Sequence, residues 1–600
     1  PQAIVVIGEG ITHTETDLNG SVTFKGYAVD IVTVSANEFE KNVSLVTDLI
    51  QNNTVTLYKS KIQMTSDDEV PVPFNSLKRR YITGPDVVVK GSYFEKYPST
   101  DIRNTLTGIS SGIDVREIDG SPGLSSLEGL QHFVLITNPY GATDKFSNVP
   151  YVLVDNVPTD LVEAPIDPSE IESVSILKGI LNSNMYGPAG SRTILLIKTK
   201  RGVKNERMLN FDIENGVSVI DRMPGWTTGA VYARLNNVAR VNSGLAKKYP
   251  SDAIAAYAQN DPNSLRYPSV NFRDMMLKDN MSFRRVNMSA SGGNDVVQYF
   301  SYVGYAYEGD IYKIGKAADY NRIITRQNVN VKVNDRINVL FSFYGNLTFR
   351  RSPNYGYDSD YTTEGTANST LTLTELPSVL SDITTTPPIA FPIIAHTDVA
   401  SNTSWYGISS NYTDNPVANL LGQGFYTDNG RTAASDITVN YDFGKNIKGL
   451  KSSTFFGFNV HDLARLGKEN DYLAYTASIA SKTGNDTIIK SSAHSLSTMS
   501  DLYKLMDYYF QRFTFYENLS YDRKFGDHTI QSTLTYNQVK AFINGVEEPE
   551  RDQNVVWSTM YSFKDKYSFQ GVLNYAGTSS FDKSKRFGLF PAAGANWVIS

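Results

Sequence analysis

The stretch QNVNVKVNDRINVLFSFYGNLTFR, residues 327–350, decides how this chain is read. Ile337, Val339, Phe341, Phe343, Gly345, Leu347 and Phe349 alternate with Asn338, Ser342, Tyr344, Asn346, Thr348 and Arg350. A period of two puts the first set on one face of an extended strand and the second on the other. Just before it, Val329, Val331 and Val333 alternate with Asn328, Asn330, Lys332 and Asn334, and Asn334-Asp335 supplies the tight turn of a hairpin. Such a strand is suited to stand between lipid and a wet lumen.

The same grammar recurs downstream. Ile437–Phe443 is expected to pair with Ser453–Val460, and Phe513–Tyr521 with Ile530–Tyr536 across Gly526-Asp527. Trp557–Phe563 is expected to pair with Tyr567–Tyr575 across Lys564-Asp565-Lys566. About twelve strands are expected over residues 204–600. A large soluble β-protein would share the period. Unequal connections, short on one side and long on the other, favour an outer-membrane barrel. The segment from Ser352 to about Gly430, rich in Asn, Thr, Ser and Tyr, is too long for an ordinary connection and is expected to be an external functional loop.

Composition agrees with that choice. The 37 Tyr and 29 Phe, beside only 20% charged residues, suit a wall with one lipid face and one wet face, and an aromatic-rich soluble sandwich would share them, so composition alone does not choose between the two. No run of 18 or more apolar residues occurs, so a closed barrel is the remaining way to cross a bilayer. The absence of Cys removes disulfides, thiolate metal sites and an acylated cysteine anchor from consideration. A net charge of −6 with scattered Lys and Arg argues against nucleic acid as a partner. No signal peptide is visible, and a mature or trimmed form is expected.

Upstream of the alternating strands the chain divides further. Residues 1–60 read as a small β-rich unit, with strands at Ile4–Ile7, Ser21–Phe24, Val29–Val34 and Val55–Tyr58. Residues 61–80 read as a polar linker containing DDEVPVPFNSLKRR, and 81–203 as mixed α/β. In that third unit Asp101–Thr107 reads as a short helix, and Ile113–Ile118, Val174–Leu177 and Ile194–Thr199 as strands. Asp167, Pro168 and Glu170 make a capping box with proline at the first helical position, a local start signal.

The run PYVLVDNVPTDLVEAPIDPSEIESVSILKGILNSNMYGPAGSRTILLIKTKRG, residues 150–202, resembles the second half of the plug of SusC-like, TonB-dependent outer-membrane transporters of the RagA/SusC type. Residues 82–123 resemble the start of the same plug, 267–312 the first barrel hairpin, 565–600 a mid-barrel hairpin, and 1–60 a carboxypeptidase-regulatory-like sandwich. The resemblance implies a mainly β protein: an N-terminal β-sandwich, an α/β plug domain and a large antiparallel transmembrane β-barrel. The family barrel has 22 strands, so the expectation is that this chain holds an incomplete barrel whose C-terminal strands are missing.

It also implies TonB-dependent import of a large nutrient, an oligosaccharide or peptide, with a SusD-like surface lipoprotein as lid and TonB as periplasmic partner. The alternative is a non-transporting structural subunit of an outer-membrane complex, with other subunits as partners. The TonB-box-like stretch is Asp68, Glu69, Val70, Pro71, Val72, Pro73 and Phe74. Pro71 and Pro73 each lack a donor and, being two apart, lie on one strand edge, so the other edge stays able to pair. Three departures bear on transport. V-D-G-V reads Val154-Asp155-Asn156-Val157, a small-Asn-Gly reads Ser191-Arg192-Thr193, and an arginine-glycine strand is replaced by Phe133–Ile136.

For catalysis the sequence has no nucleophile elbow, P-loop or dinucleotide fingerprint, and neither enzyme activity nor a cofactor is expected. The six His (13, 132, 396, 461, 494 and 528) fall in no metal-ligand spacing. In the long loop, Tyr355, Tyr357, Tyr361 and Trp405 are candidates to stack on a ligand or partner, and Asp358, Asp360 and Glu364 are weak calcium candidates against the commoner reading of solvated loop acids.

Overall fold

In the computed structural model the described residues are 4–7, 12–15, 31–35, 42–45, and then 68–598 apart from 85, 98, 101, 107–108, 110–112, 118–131, 137–149, 160–163, 192, 221–224, 317, 354–378, 399–402, 471, 477–491, 495–502 and 544–547. The first unit contributes a four-stranded sheet: β1 (Ile4–Ile7), β2 (Thr12–Glu15), β3 (Ile31–Ser35) and β4 (Asn42–Leu45), in the order β2-β1-β3-β4. The expected strands Ser21–Phe24 and Val55–Tyr58 lie outside the described residues.

Of the stretch read as a linker, the described part, residues 68–80, is folded. β5 (Glu69–Val72) and β6 (Asn75–Lys78) form an antiparallel hairpin. Against the reading as a polar linker, Val70, Val72 and Phe74 follow a period of two, and burial of all three makes the stretch a hairpin whose free edge carries the prolines.

Beyond it, β7 (Val87–Lys90) leads to a two-stranded sheet of β8 (Ile113–Glu117) and β9 (His132–Ile136). β10 (Tyr151–Val154), β11 (Val157–Pro158), β12 (Ile171–Leu177) and β13 (Ile194–Thr199) complete a five-stranded mixed sheet, order β11-β10-β13-β12-β7. Only the β10–β13 pair is parallel among these. Val89, Phe94, Ile102, Leu106, Val174, Ile176, Leu195 and Ile197 form its core. Hairpin and mixed sheet together are called the inner body below.

The rest builds one twelve-stranded antiparallel sheet, the wall. Its strands in spatial order are β14 (Arg207–Val219), β15 (Asn280–Gly293), β16 (Val297–Gly309), β17 (Asp319–Lys332), β18 (Ile337–Pro353), β21 (Gly424–Asp442), β22 (Leu450–Glu469), β25 (Tyr503–Phe525), β26 (His528–Ile543), β27 (Glu550–Phe563), β28 (Tyr567–Thr578) and β29 (Phe587–Trp597). The hairpin matched at 267–312 is therefore β15–β16, the second and third strands; β14 precedes it because residues 207–219 pair along the whole of β15.

Connections at one end of the wall are short: 294–296, 333–336, 526–527 and 564–566. At the other end three are long, 220–279, 354–423 and 470–502, beside three shorter ones, 310–318, 544–549 and 579–586. The long loop expected from Ser352 begins after Pro353 and ends before Gly424, because β18 and β21 stay in register through Pro353↔Phe425. It carries the helices Val379–Thr385 and Pro416–Gly422, and β19 (Ile394–Asp398) and β20 (Thr403–Ile408). These strands pair with β23 (Ala474–Thr476) and β24 (Ser492–His494) in the order β19-β20-β23-β24.

The opening stretch has its expected faces. Phe341, Phe343, Leu347 and Phe349 are exposed on the outside, while Ser342, Tyr344, Asn346 and Arg350 are buried against the interior.

Candidate functional site

Asp167 caps the short turn Pro168–Glu170: its side chain accepts from Ser169 N at 2.9 Å, and Glu170 Oε1 accepts from Asp167 N at 3.0 Å. This capping box needs only one oxygen of each acid. Both acids also reach the wall, Asp167 through the capping oxygen itself and Glu170 through its second oxygen. Arg285 Nη2 of β15 donates to Asp167 Oδ1 at 2.9 Å and its Nη1 to Glu214 at 2.8 Å, while Arg326 Nε of β17 donates to Glu170 Oε2 at 2.5 Å. Arg322 stands 4.0 Å from Asp167.

All of these except Glu214 are nearly inaccessible, and burial pushes the Glu170 carboxyl above its usual range while the Arg326 guanidinium pulls it back. Tyr344 closes the seam by donating to Pro165 O at 2.6 Å.

A second seam runs along the other half of the wall and is made mainly by neutral amides, with Arg512 of β25 adding a bond to Pro158 O at 2.6 Å. Asn518 of β25 donates to Phe74 O at 2.9 Å, Asn554 of β27 to Met185 O at 2.8 Å, Asn574 of β28 to Asn184 O at 2.5 Å, and Asn596 of β29 to Arg80 O at 2.7 Å. Backbone carbonyls of irregular segments need such donors when buried. Around them Phe74, Leu181, Met185 and Tyr186 pack on Phe455, Tyr516, Val556 and Val572, with the Phe455 and Tyr516 rings stacked at 4.6 Å. Gly187 sits at φ +61° with Ala576 2.8 Å from where a Cβ would stand, so no side chain fits.

Between the seams lies the β10–β11 turn. Asp155 and Asn156 both have positive φ, 47° and 69°, so the Val-Asp-Asn-Val departure is accommodated as a left-handed turn. Asp155 accepts from Thr199 N at 3.1 Å, and Asn328 of β17 donates to Lys200 O at 2.7 Å. A cavity of about 30 Å³, lined by Asp155, Arg326, Ser342, Asp436 and Asn459 among others, has room for about one water.

The TonB-box-like residues sit in the β5–β6 hairpin. Asp68 pairs with Lys90 at 3.3 Å, and Val70 and Val72 pack with Leu77, Tyr81, Val88 and Met560 of β27. The register Val72↔Asn75 and Val70↔Leu77, continued by the bond from Arg79 N to Asp68 O at 3.0 Å, makes the even-numbered residues the hydrogen-bonded pairs. Val70 and Val72 therefore direct their N–H groups to β6, and Pro71 and Pro73 occupy the outer edge. Phe74 holds φ at +59°, unusual for a bulky residue, between the rings of Tyr186 and Tyr516 at 5.1 and 5.3 Å.

Tyr81 donates to Asp565 at 2.5 Å in a short-end turn; burial and the carboxylate push the phenol up to about 12, and the hydrogen bond holds Asp565 low.

Of the loop candidates, Trp405 lies in β20 with the rings of His396 and Tyr475 at 4.5 and 4.6 Å. Tyr355, Tyr357, Tyr361, Asp358, Asp360 and Glu364 lie outside the described residues. Sequence reasoning missed Arg285, Arg322 and Arg326, and the wall asparagines apart from Asn328. Their signal was available: each occupies the inward parity of its strand.

No family model matches the chain. It is 21% identical to TonB-dependent receptor P26 of Formosa agariphila and 22% identical to TonB-dependent receptor SusC of Bacteroides thetaiotaomicron, in each case over all of this chain and 57% of the relative. The chain thus spans a little over half the length of these relatives. In fold it is similar to the RagAB peptide importer in its open-open state, with a TM-score of 0.62 at 15% identity over 88% of this chain and 58% of that one. Another RagAB peptide transporter structure gives 0.60 over 85% and 57%. With its two-faced wall and filled interior, the chain is SusC-like along its whole length: an outer-membrane β-barrel protein of the TonB-dependent receptor type.

Proposed function

We propose that the protein takes part in TonB-dependent import of a large nutrient, an oligosaccharide or peptide, with the inner body as plug, a SusD-like lipoprotein as lid and TonB engaging Asp68–Phe74. The observation that carries the reading is the inner body itself, which fills the wall yet is held to it chiefly by side-chain contacts that can be broken without unravelling either sheet. A pulled segment must also be continuous with the plug, and β5 runs through β6 and the turn at Arg79–Tyr81 into β7.

A second reading, a structural subunit of an outer-membrane complex, is favoured by the hairpin edge. β5 presents prolines outward, and its donor-bearing edge is taken by β6, so strand addition by a partner requires the hairpin to open.

Val72→Pro removes one of the donors on the inner edge. In the import reading it abolishes growth on the cognate nutrient while the protein stays at normal levels in the outer membrane. Viability lost on gene deletion but kept in Val72→Pro would establish the structural reading instead.

A further inference from the structure

Between Phe513 and Tyr521 the outward residues of β25 are apolar or aromatic except at one level. Thr514, Tyr516 and Asn518 are buried against the interior, so the intervening side chains face the lipid: Phe513, Phe515, Glu517, Leu519 and Tyr521. Glu517 has two apolar or aromatic neighbours on either side along the strand. It lies six residues from Arg523, which on a strand tilted by roughly 40° is roughly 15 Å into a lipid belt about 25 Å tall.

The hydroxyl of Thr454 on β22 donates to Glu517 Oε2 at 2.5 Å. Tyr536, opposite Glu517 on β26, directs its hydroxyl instead to Gln538 at 3.1 Å. The cations that flank this face are engaged elsewhere, Arg523 over Phe525 at 4.5 Å and Lys540 over Phe542 at 4.4 Å. A carboxylate offers about four acceptor positions, and acyl chains fill none of them.

From this geometry we infer that the β22–β25–β26 face is a lateral docking site, within the membrane, for another membrane-embedded protein that presents an arginine or lysine at the depth of Glu517. Charge complementarity selects this occupant: an ionisable side chain at lipid depth calls for a partner of opposite charge. A second copy related by a two-fold axis through this level would set two carboxylates against each other. The site is independent of the import reading, since nothing in the inner body touches it.

The test is a photo-crosslinking amino acid at Leu519 in full-length protein in its native outer membrane. The wild type is expected to crosslink a defined membrane protein. Glu517→Leu should lower the yield at least tenfold while leaving the barrel folded, because it makes the lipid face more apolar. Glu517→Arg should abolish the crosslink, and changing the partner's basic residue to Glu should restore it. Crosslinks to lipid alone, to a second copy of this chain, or of equal yield in Glu517→Leu would overturn the inference, as would a charge exchange that fails to restore contact.

Discussion

The inner body meets the wall in two chemically different ways. Against β15 and β17 the contact is ionic, with Asp167 and Glu170 set on Arg285, Arg322 and Arg326. Against β25, β27, β28 and β29 it is made mainly by asparagine amides on main-chain carbonyls. A buried ion pair gives little net stability but is costly to break on one side, because the abandoned charge stays buried. A neutral amide bond is worth less and fails more gently. The first half is thus strongly specified and brittle, the second tolerant.

The largest effect expected from this contrast is at Arg326. Arg326→Met leaves Glu170 buried beside Asp167 and should weaken docking by about 3–5 kcal/mol, read as faster amide exchange in Ile171–Leu177. Arg326→Met combined with Glu170→Leu should recover most of the loss, since the orphaned charge is gone. If the double variant is as weak as the single, charge is not what makes this half brittle.

On the neutral side Asn554→Ala should cost about 1–3 kcal/mol by stranding Met185 O, with the exchange increase confined to Asn184–Ser191. A loss equal to that of Arg326→Met would erase the distinction.

The smallest effect is in pH. The Glu170 carboxyl is raised in the folded state, so docking holds its proton more tightly than the undocked chain does. Its contribution is fully present below the ordinary glutamate range and fades as pH rises through the folded value. Exchange-derived stability of Ile171–Leu177 should therefore rise from neutral to mildly acidic pH, while Asn184–Ser191, held by asparagine amides remote from the Tyr81–Asp565 contact, stays flat. A fall on acidification at Ile171–Leu177 would have the wrong sign.

How far these contacts could be read from sequence follows from their range. The faces of β18 were legible because lipid and interior impose a strict period of two on Phe341, Ser342, Phe343 and Tyr344. The Asp167–Pro168–Glu170 cap was legible because it is local. Its ionic partners were not, since Arg285 and Arg326 lie 118 and 156 residues away and only the wall's register brings them over the cap. The hairpin was half legible. The sequence places Pro71 and Pro73 on one edge, but Asn75–Lys78 reads as polar linker, and nothing local says that it occupies the other edge.

The central claim is that the inner body sits inside the wall, and it can be tested on a chain that has no cysteine of its own. Thr83 belongs to the inner body and Gly594 to β29, and a Cβ on Gly594 would stand 3.4 Å from Thr83 Cβ, close to the spacing a disulfide requires. Thr83→Cys with Gly594→Cys should oxidise spontaneously in intact outer membranes, giving a gel shift that reductant removes. Thr83→Cys with Ala595→Cys, whose side chain faces lipid, should not. Absence of the first crosslink, or equal formation of both, would contradict the placement.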